Sequence, residues 1–541
     1  MRFVTLRSSP AEIVYASLRE RGPAGPFRAV RKASRPAGRL WKKGDFPYRR
    51  DALKGGILGT AAAAFGAAGA ASARAEESSR THVFDVVIVG SGCAGLAAAI
   101  EAADKGATVA LLEKMSMPFG NTIYAGGIFN ATNTSVQKEQ GLSDSVDAFY
   151  ADMMKVSQNR GDAALTRVFA EESGTAIEWL RERCGIKFKK IVKEVWPGLV
   201  RGHVVDGPKK PGGAQLVTQL LEIIRQNPKI TYFTNTKVIE LLKTPTLECT
   251  GVRAVSKKEG EIVISARGGV LMATGGFHAN KEMVCKYMGG GVAWMPLRGS
   301  PYMMGENVEL TRPFFPYYMN MDQFHGGPIH GPTQANPSTL VNYGVIVGTA
   351  GTRIINEAKT YVEMAKELPL ITRDNWAYIV IDSAVLENDT VATRLDRYRS
   401  KKAPIYLGST FAELARAIGG MDEKVFVKTL EDYNAAVKAG KAAQMSPANT
   451  LKAPRLIEKA PFLALPFQGG MTATFGEPRI NAKGQVINAE QQPIPGLYAA
   501  GNAIGGLFYW NYIVGSQLTA AVIFGRRAAD DMAGRAKAKK A

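Results

Sequence analysis

The feature that most constrains this chain is a passage from a buried strand through glycines into a helix, at residues 84–103. Phe84-Asp85-Val86-Val87-Ile88-Val89 is rich in β-branched residues, which predicts a strand covered on both faces of a parallel sheet. It runs directly into Gly90-Ser91-Gly92-Cys93-Ala94-Gly95 and then into the helix-forming Leu96-Ala97-Ala98-Ala99-Ile100-Glu101-Ala102-Ala103. A second strand is predicted at Thr108-Val109-Ala110-Leu111-Leu112-Glu113. A GxGxxG in this full strand, turn, helix and strand setting is the fingerprint of a dinucleotide-binding unit. Gly90 permits the tight turn, Gly92 lets the backbone approach a pyrophosphate, and Gly95 lets the helix lie against the strand. The helix N-terminus, with Cys93 and Ala94 in its first turn, turns free N–H groups and a positive dipole end toward phosphate. Glu113 closes the second strand, where a carboxylate accepts hydrogen bonds from a ribose.

The chain has 541 residues, 46% of them hydrophobic, enough for two or three domains with substantial cores. Its formal charge of +20 is unevenly spread: residues 1–75 hold 15 Lys or Arg against 4 Asp or Glu, a net +11 that leaves +9 for the rest. That remainder is ordinary for a soluble enzyme and calls for no nucleic-acid partner. Tyr48-Arg49-Arg50-Asp51-Ala52-Leu53-Lys54, a Gly/Ala-rich weakly apolar run at 55–71 and Ala73-Arg74-Ala75 resemble a twin-arginine export signal with an Ala-x-Ala cleavage site. The apolar run is too short and too poor in strong hydrophobes for a comfortable membrane span. Residues 1–75 are therefore read as a signal peptide directing the folded protein to the periplasm, with no membrane span in the mature chain. The four cysteines, Cys93, Cys184, Cys249 and Cys285, form no CxxC or CxxCH, so they predict small buried side chains and no metal site.

Three further segments accompany the glycine turn. Residues 114–134 contain Lys114, Gly120-Asn121-Thr122 and Ala125-Gly126-Gly127; Gly269-Val270-Leu271-Met272-Ala273-Thr274-Gly275-Gly276-Phe277 lies mid-chain; Ile494-Pro495-Gly496-Leu497-Tyr498-Ala499-Ala500-Gly501-Asn502 lies near the end. Together, in this order, they resemble the flavoprotein subunits of fumarate reductases and succinate dehydrogenases, a family that includes urocanate reductases and 3-ketosteroid dehydrogenases. The resemblance spans nearly all of residues 82–535. It implies an α/β fold with a Rossmann-like FAD-binding domain assembled from both ends of the mature chain, 82–320 and 458–535, and an inserted α+β capping domain at 321–457. The five histidines, at 82, 203, 278, 325 and 330, all lie outside 120–130, so non-covalent FAD is expected. Glycines near the ring let the backbone lie against it without a Cβ in the way. The resemblance places the helix opened by Gly515-Ser516-Gln517-Leu518-Thr519 with its N-terminus toward the flavin. Since no haem-attachment motif is present, electrons are expected from an external c-type cytochrome or quinol-linked donor.

The family moves hydride between flavin and a carbon beside an activating carbonyl or carboxylate, which also requires a proton donor and an electrophile. Aligning Asn511-Tyr512-Ile513-Val514-Gly515-Ser516 with the family's Asn-Arg-Leu-Gly-Gly-Asn puts Tyr512 where the fumarate reductases carry a carboxylate-binding arginine, and Phe508 where they carry a histidine. Gly351-Thr352-Arg353-Ile354-Ile355-Asn356-Glu357-Ala358-Lys359-Thr360-Tyr361 follows the family's Gly-x-Arg-Phe-x-Asn-Glu, yet ends in Tyr361 where Thr-Arg-Asp is usual. A second carboxylate would lose charge-assisted bonds worth ~1.5–3 kcal/mol each. The pair Tyr361 and Tyr512 instead resembles the ketosteroid dehydrogenase branch, and a phenol, with an ordinary pKa near ~10, can donate or accept the proton. His325, in Met321-Asp322-Gln323-Phe324-His325, is expected to hold a substrate oxygen. Arg353 and Glu357 are expected to form an ion pair that orients the turn, with a proton-relay role as the alternative; His330, Arg201 and His203 are weaker candidates, and Tyr509 and Trp510 are expected to line a pocket for a flat substrate. The expected activity is reduction of an enoate or enone that is not a dicarboxylate. A ketosteroid-type dehydrogenase, a fumarate reductase and a non-catalytic electron carrier are the alternatives.

Overall fold

A computed structural model describes residues 80–192, 200–207 and 212–541. The twin-arginine segment, the apolar run and the Ala-x-Ala motif lie outside the described residues. The strand Arg80–Val89 sits inside a sheet whose parallel part has the order Pro493–Ala499, Gly260–Met272, Arg80–Val89, Val109–Leu112, Ile230–Phe233. Val86, Val87 and Ile88 are fully buried, as the unbroken β-branched run requires of a strand covered on both faces. Gln485–Ile487 closes one edge antiparallel, and Thr236–Lys243 and Cys249–Ser256 extend the sheet as an antiparallel meander from Gly260–Met272. The alanine-rich helix Cys93–Asp104 is buried along almost its whole length, and the C-terminal helix Ser516–Lys540 packs against it. Both ends of the described chain thus build one Rossmann-like layer.

A second, antiparallel sheet joins Phe324–Ile329, Phe462–Thr474, Ala377–Ile381 and Val345–Gly348, with Tyr406–Gly408 also paired to Phe462–Thr474. Its side chains alternate. Ile346, Ile379, Ile381, Leu463 and Leu465 enter a core with the helices Tyr361–Ile371 and Asp389–Ser400, whereas Val345, Val347, Val380 and Ala464 enter a core with Phe411–Ile418 and Glu423–Lys438. Period-two alternation between two apolar faces is what a sheet covered by helices on both sides demands. Most of these elements fall within the expected insertion at 321–457, and Phe462–Thr474, to which Phe324–Ile329, Ala377–Ile381 and Tyr406–Gly408 all pair, follows it in the sequence. Among the described residues no helix is long and apolar enough to cross a membrane, and no cluster of His, Cys, Asp and Glu could hold a metal ion. The cysteines are unpaired; Cys285 is exposed, unlike the other three.

Candidate active site

The glycine turn is shaped by backbone crowding. Gly90 has φ +102°, and a Cβ there would fall 2.5 Å from the Ala273 carbonyl oxygen; at Gly95 a Cβ would fall 1.9 Å from the Gly90 oxygen. Only glycine allows the helix to spring from the strand at this angle. At Gly92 a Cβ would meet nothing nearer than Thr122 Oγ1 at 3.6 Å, because that side opens into a cavity of about 930 Å³. Gly90, Gly92, Cys93 and Ala94 form its floor, Glu113 and Lys114 one end, and Asn121, Thr122, Ala125, Gly126 and Gly127 a wall. Thr274, Gly275, Gly501 and Asn502 line it from the neighbouring strand ends, and Gln517 and Leu518 from the first turn of the C-terminal helix. Two expected residues stand back. Gly95 contributes only helix-on-strand packing, and the buried Ser516 turns its hydroxyl to Met153 Sδ at 3.6 Å.

The cavity fits FAD in its chemistry. The buried Thr274 Oγ1 has no partner in the described structure, so a hydroxyl at the cavity wall is left for a ligand to satisfy. Glu113 is fixed as an acceptor: Oε2 receives Ser91 N–H at 3.2 Å and Ser91 Oγ–H at 2.5 Å, and Oε1 receives Met115 N–H at 2.9 Å. Each carboxylate oxygen keeps further lone-pair capacity for a ribose hydroxyl. Lys114 is tied to Glu306 and to the Tyr302 carbonyl.

The far end of the same cavity is lined by Tyr361, Tyr512 and His325. Tyr361 is the first residue of the helix Tyr361–Ile371, whose start is set by a capping box between Thr360 and Glu363. Tyr512 is held in an aromatic cluster, its ring centroid 4.6 Å from His325, 5.4 Å from Phe508 and 5.7 Å from Phe475. Phe508, at the position where fumarate reductases carry a histidine, is thus a packing residue. Burial, reinforced by the positive charges of Arg298 and Lys366, pushes the His325 imidazole down to about 3, so the ring is neutral at physiological pH and its buried Nδ1 has no partner in the described structure.

Several expected participants lie elsewhere. Arg353 and Glu357 do not line the cavity: they form a buried bidentate pair, Nη2 to Oε2 at 2.6 Å and Nε to Oε1 at 3.0 Å. Glu357 also accepts the Ile346 N–H and Arg353 donates to the Pro447 carbonyl, so the pair fastens the turn without reaching the chemistry. Arg201 is buried between Asp144 and Asp152, and His203 bonds Thr134 Oγ1 at 2.7 Å. His330 bonds Thr333 and packs on Trp376. Tyr509 carries Arg160 on its ring, and Trp510, at φ +59°, carries Lys366. Neither aromatic lines the cavity.

Sequence reading missed the cations at this end: Arg298, Arg394, Arg397 and Lys401 line the cavity. The only signal for the first was one arginine in the otherwise apolar Met295-Pro296-Leu297-Arg298-Gly299. Four cationic side chains thus share the cavity with Tyr361 and Tyr512.

A family model described as an FAD binding domain matches residues 85–518. The chain is 34% identical over 462 residues to the NADH:fumarate oxidoreductase of Klebsiella pneumoniae (strain 342), a match covering 84% of this chain and 48% of that protein. It is 29% identical to the fumarate reductase (cytochrome) of Shewanella frigidimarina, covering 83% of this chain and 77% of that one. The chain therefore spans about half the length of the first of these relatives. Among solved structures it is similar to the open conformation of a flavocytochrome c3 fumarate reductase, with a TM-score of 0.74, 27% identity, and coverage of 84% of this chain and 79% of that one.

Proposed function

The chain belongs to the FAD binding domain family, and from that premise we propose that it is an FAD-dependent oxidoreductase that reduces a C=C bond conjugated to a carboxylate or carbonyl. One observation carries the reading: Tyr361, Tyr512 and His325 share a single cavity with the glycine turn. Reduced FAD, when bound, supplies a hydride for one carbon of the double bond. A tyrosine hydroxyl supplies the proton for the other carbon, so two C–H bonds replace one π bond and the phenol recovers its proton from solvent. The aromatic cluster around Tyr512 fixes where that hydroxyl stands. His325, neutral at its buried position, offers the substrate oxygen a hydrogen bond without adding charge.

The electron source in this proposal is an external c-type cytochrome or quinol-linked donor. Its support is the likeness to a fumarate reductase (cytochrome). The twin-arginine motif at Arg49-Arg50 supports a periplasmic location. The favoured substrate is an enoate without a second carboxylate, because the two clamp positions are Tyr361 and Tyr512.

The test is Tyr512→Phe in the FAD-loaded protein. Loss of C=C reduction, with oxidation of the reduced flavin by an artificial dye unchanged, supports the assignment. Equal rates in both assays, variant against parent, overturn it.

A further inference from the structure

Arg298 is a cation around which the fold has been hollowed. Its side chain crosses the strands Phe324–Ile329 and Phe462–Thr474 at two glycines. A Cβ at Gly327 would fall 1.7 Å from Arg298 Nη1 and 2.5 Å from Cζ, and one at Gly470 would fall 2.8 Å from Cγ and 2.9 Å from Cδ. Its backbone N–H donates to the Met471 carbonyl at 2.8 Å and its Nη1 to Thr472 Oγ1 at 2.9 Å. The stem is thereby fixed on both sides, and the bond from Nη1 to Thr472 Oγ1 holds one edge of the guanidinium.

No carboxylate lies within salt-bridge distance of Arg298 among the described residues, which sets it apart from the buried Arg201 and Arg353. The cavity has two acidic residues, Glu113 and Glu306. The first is held by Ser91 and Met115 and the second by Lys114, all in the half that begins at the glycine turn. The charged and titratable groups that sense Arg298 are Tyr361, Tyr512, His325 and Arg394. None of these is a carboxylate. Burial disfavours its charge, and a buried cation without a counter-ion is costly. An anionic ligand removes that cost by supplying paired charge-assisted bonds.

We infer that Arg298 is the specificity-determining residue of this site: it binds the carboxylate of an α,β-unsaturated acid and thereby selects the acid over neutral enones, esters and amides. The inference rests on the reductase reading above. It gives the carboxylate a binding residue at a position neither tyrosine occupies. It also places a fixed positive charge where negative charge grows as the double bond is reduced. Arg397 and Lys401 are exposed, and Arg298, like Arg394, is half-buried; what distinguishes Arg298 is the slot between Gly327 and Gly470 that fixes its stem.

The experiment titrates oxidised, FAD-loaded protein with crotonate, cinnamate, crotonamide and cinnamamide, following the flavin absorption band. Wild type is expected to bind the better-fitting acid at least about tenfold more tightly than its amide, the lower end for hydrogen bonds to a charged group. Arg298→Gln should weaken that acid by a similar factor and leave the amide within about twofold. Arg298→Lys should recover part of the loss. Equal affinity of acid and amide in the parent, equal weakening of both in Arg298→Gln, or no binding of either acid overturns the inference. Should Arg298→Gln fail to load FAD, the parent's acid-to-amide ratio and Arg298→Lys decide the matter. Reoxidation of the reduced flavin separates the two levels. If no unsaturated compound reoxidises it, the reductase reading fails together with the inference. If acids and amides reoxidise it alike, only the role of Arg298 fails.

Discussion

The two ends of the cavity are built in different ways. The end bounded by Gly90, Gly92 and the helix Cys93–Asp104 is made of backbone from one continuous stretch, where Cβ atoms at Gly90 and Gly95 would strike carbonyl oxygens and Gly92 opens into the cavity. The other end is made of side chains, Arg298, His325, Tyr361 and Tyr512, delivered by four segments far apart in the chain. A site made of backbone needs a contiguous motif and tolerates little change; a site made of side chains can exchange an arginine for a tyrosine and bring the charge back from elsewhere. Under the proposed function, this contrast lets the family's cofactor cradle be kept while the substrate end varies.

The sharpest way to break the contrast is Gly95→Leu. Its Cβ would stand 1.9 Å from the Gly90 oxygen, and a protein purified without FAD is expected, read as flavin absorbance per chain. Normal loading would show that the turn is not what shapes the cradle. Tyr361→Phe comes next: it should lower turnover by about 10²- to 10⁴-fold, the range for loss of a general acid, with FAD content unchanged. Undiminished turnover would leave the proton to another group.

Arg353→Met tests whether the displaced pair is purely structural. Removing one partner strands Glu357, which is fully buried, and should cost about 3–5 kcal/mol of stability in denaturant titration, while turnover of the folded fraction stays within about twofold. Lost turnover without lost stability would restore the relay role expected from sequence. The smallest effect lies under the first strand. Burial alone would raise the Asp85 carboxyl, but hydrogen bonds from Lys540, Thr108 and Arg267 outweigh it and bring it down to about 2. Because its folded pKa is depressed, its contribution of about 2 kcal/mol is present above about pH 4 and fades as the pH falls toward 2. Asp85→Asn should therefore lower stability at pH 7 and make little difference near pH 2; a pH-independent difference would point to lost packing instead.

How much of this was legible in the sequence follows the same division. The strand, turn and helix at 84–103 could be read because periodicity and glycine spacing are local. Tyr361, Tyr512 and His325 could be placed because they lie inside segments that resemble a family. Arg353 and Glu357 form the ion pair expected of them: their motif keeps the two residues together, and here they face each other. Tyr509 and Trp510 misled for a backbone reason: the chain takes φ +59° at Trp510 and the two rings are covered by Arg160 and Lys366 instead of lining the cavity. Arg298 was silent because its meaning depends on the slots at Gly327 and Gly470, which no window around residue 298 contains. The partners of Phe462–Thr474 were not legible either, because a strand shows its alternation but not the distant segments, Phe324–Ile329 and Ala377–Ile381, that it pairs with.

The central claim, that the side-chain end performs C=C reduction on an acid other than a dicarboxylate, is tested most directly without oxygen. The bound flavin is reduced chemically, then mixed with crotonate, cinnamate, an enone and fumarate while its absorption is followed. The account predicts that a mono-enoate restores the oxidised spectrum faster than fumarate, and that Tyr512→Phe slows that step. Reoxidation by fumarate alone would contradict it.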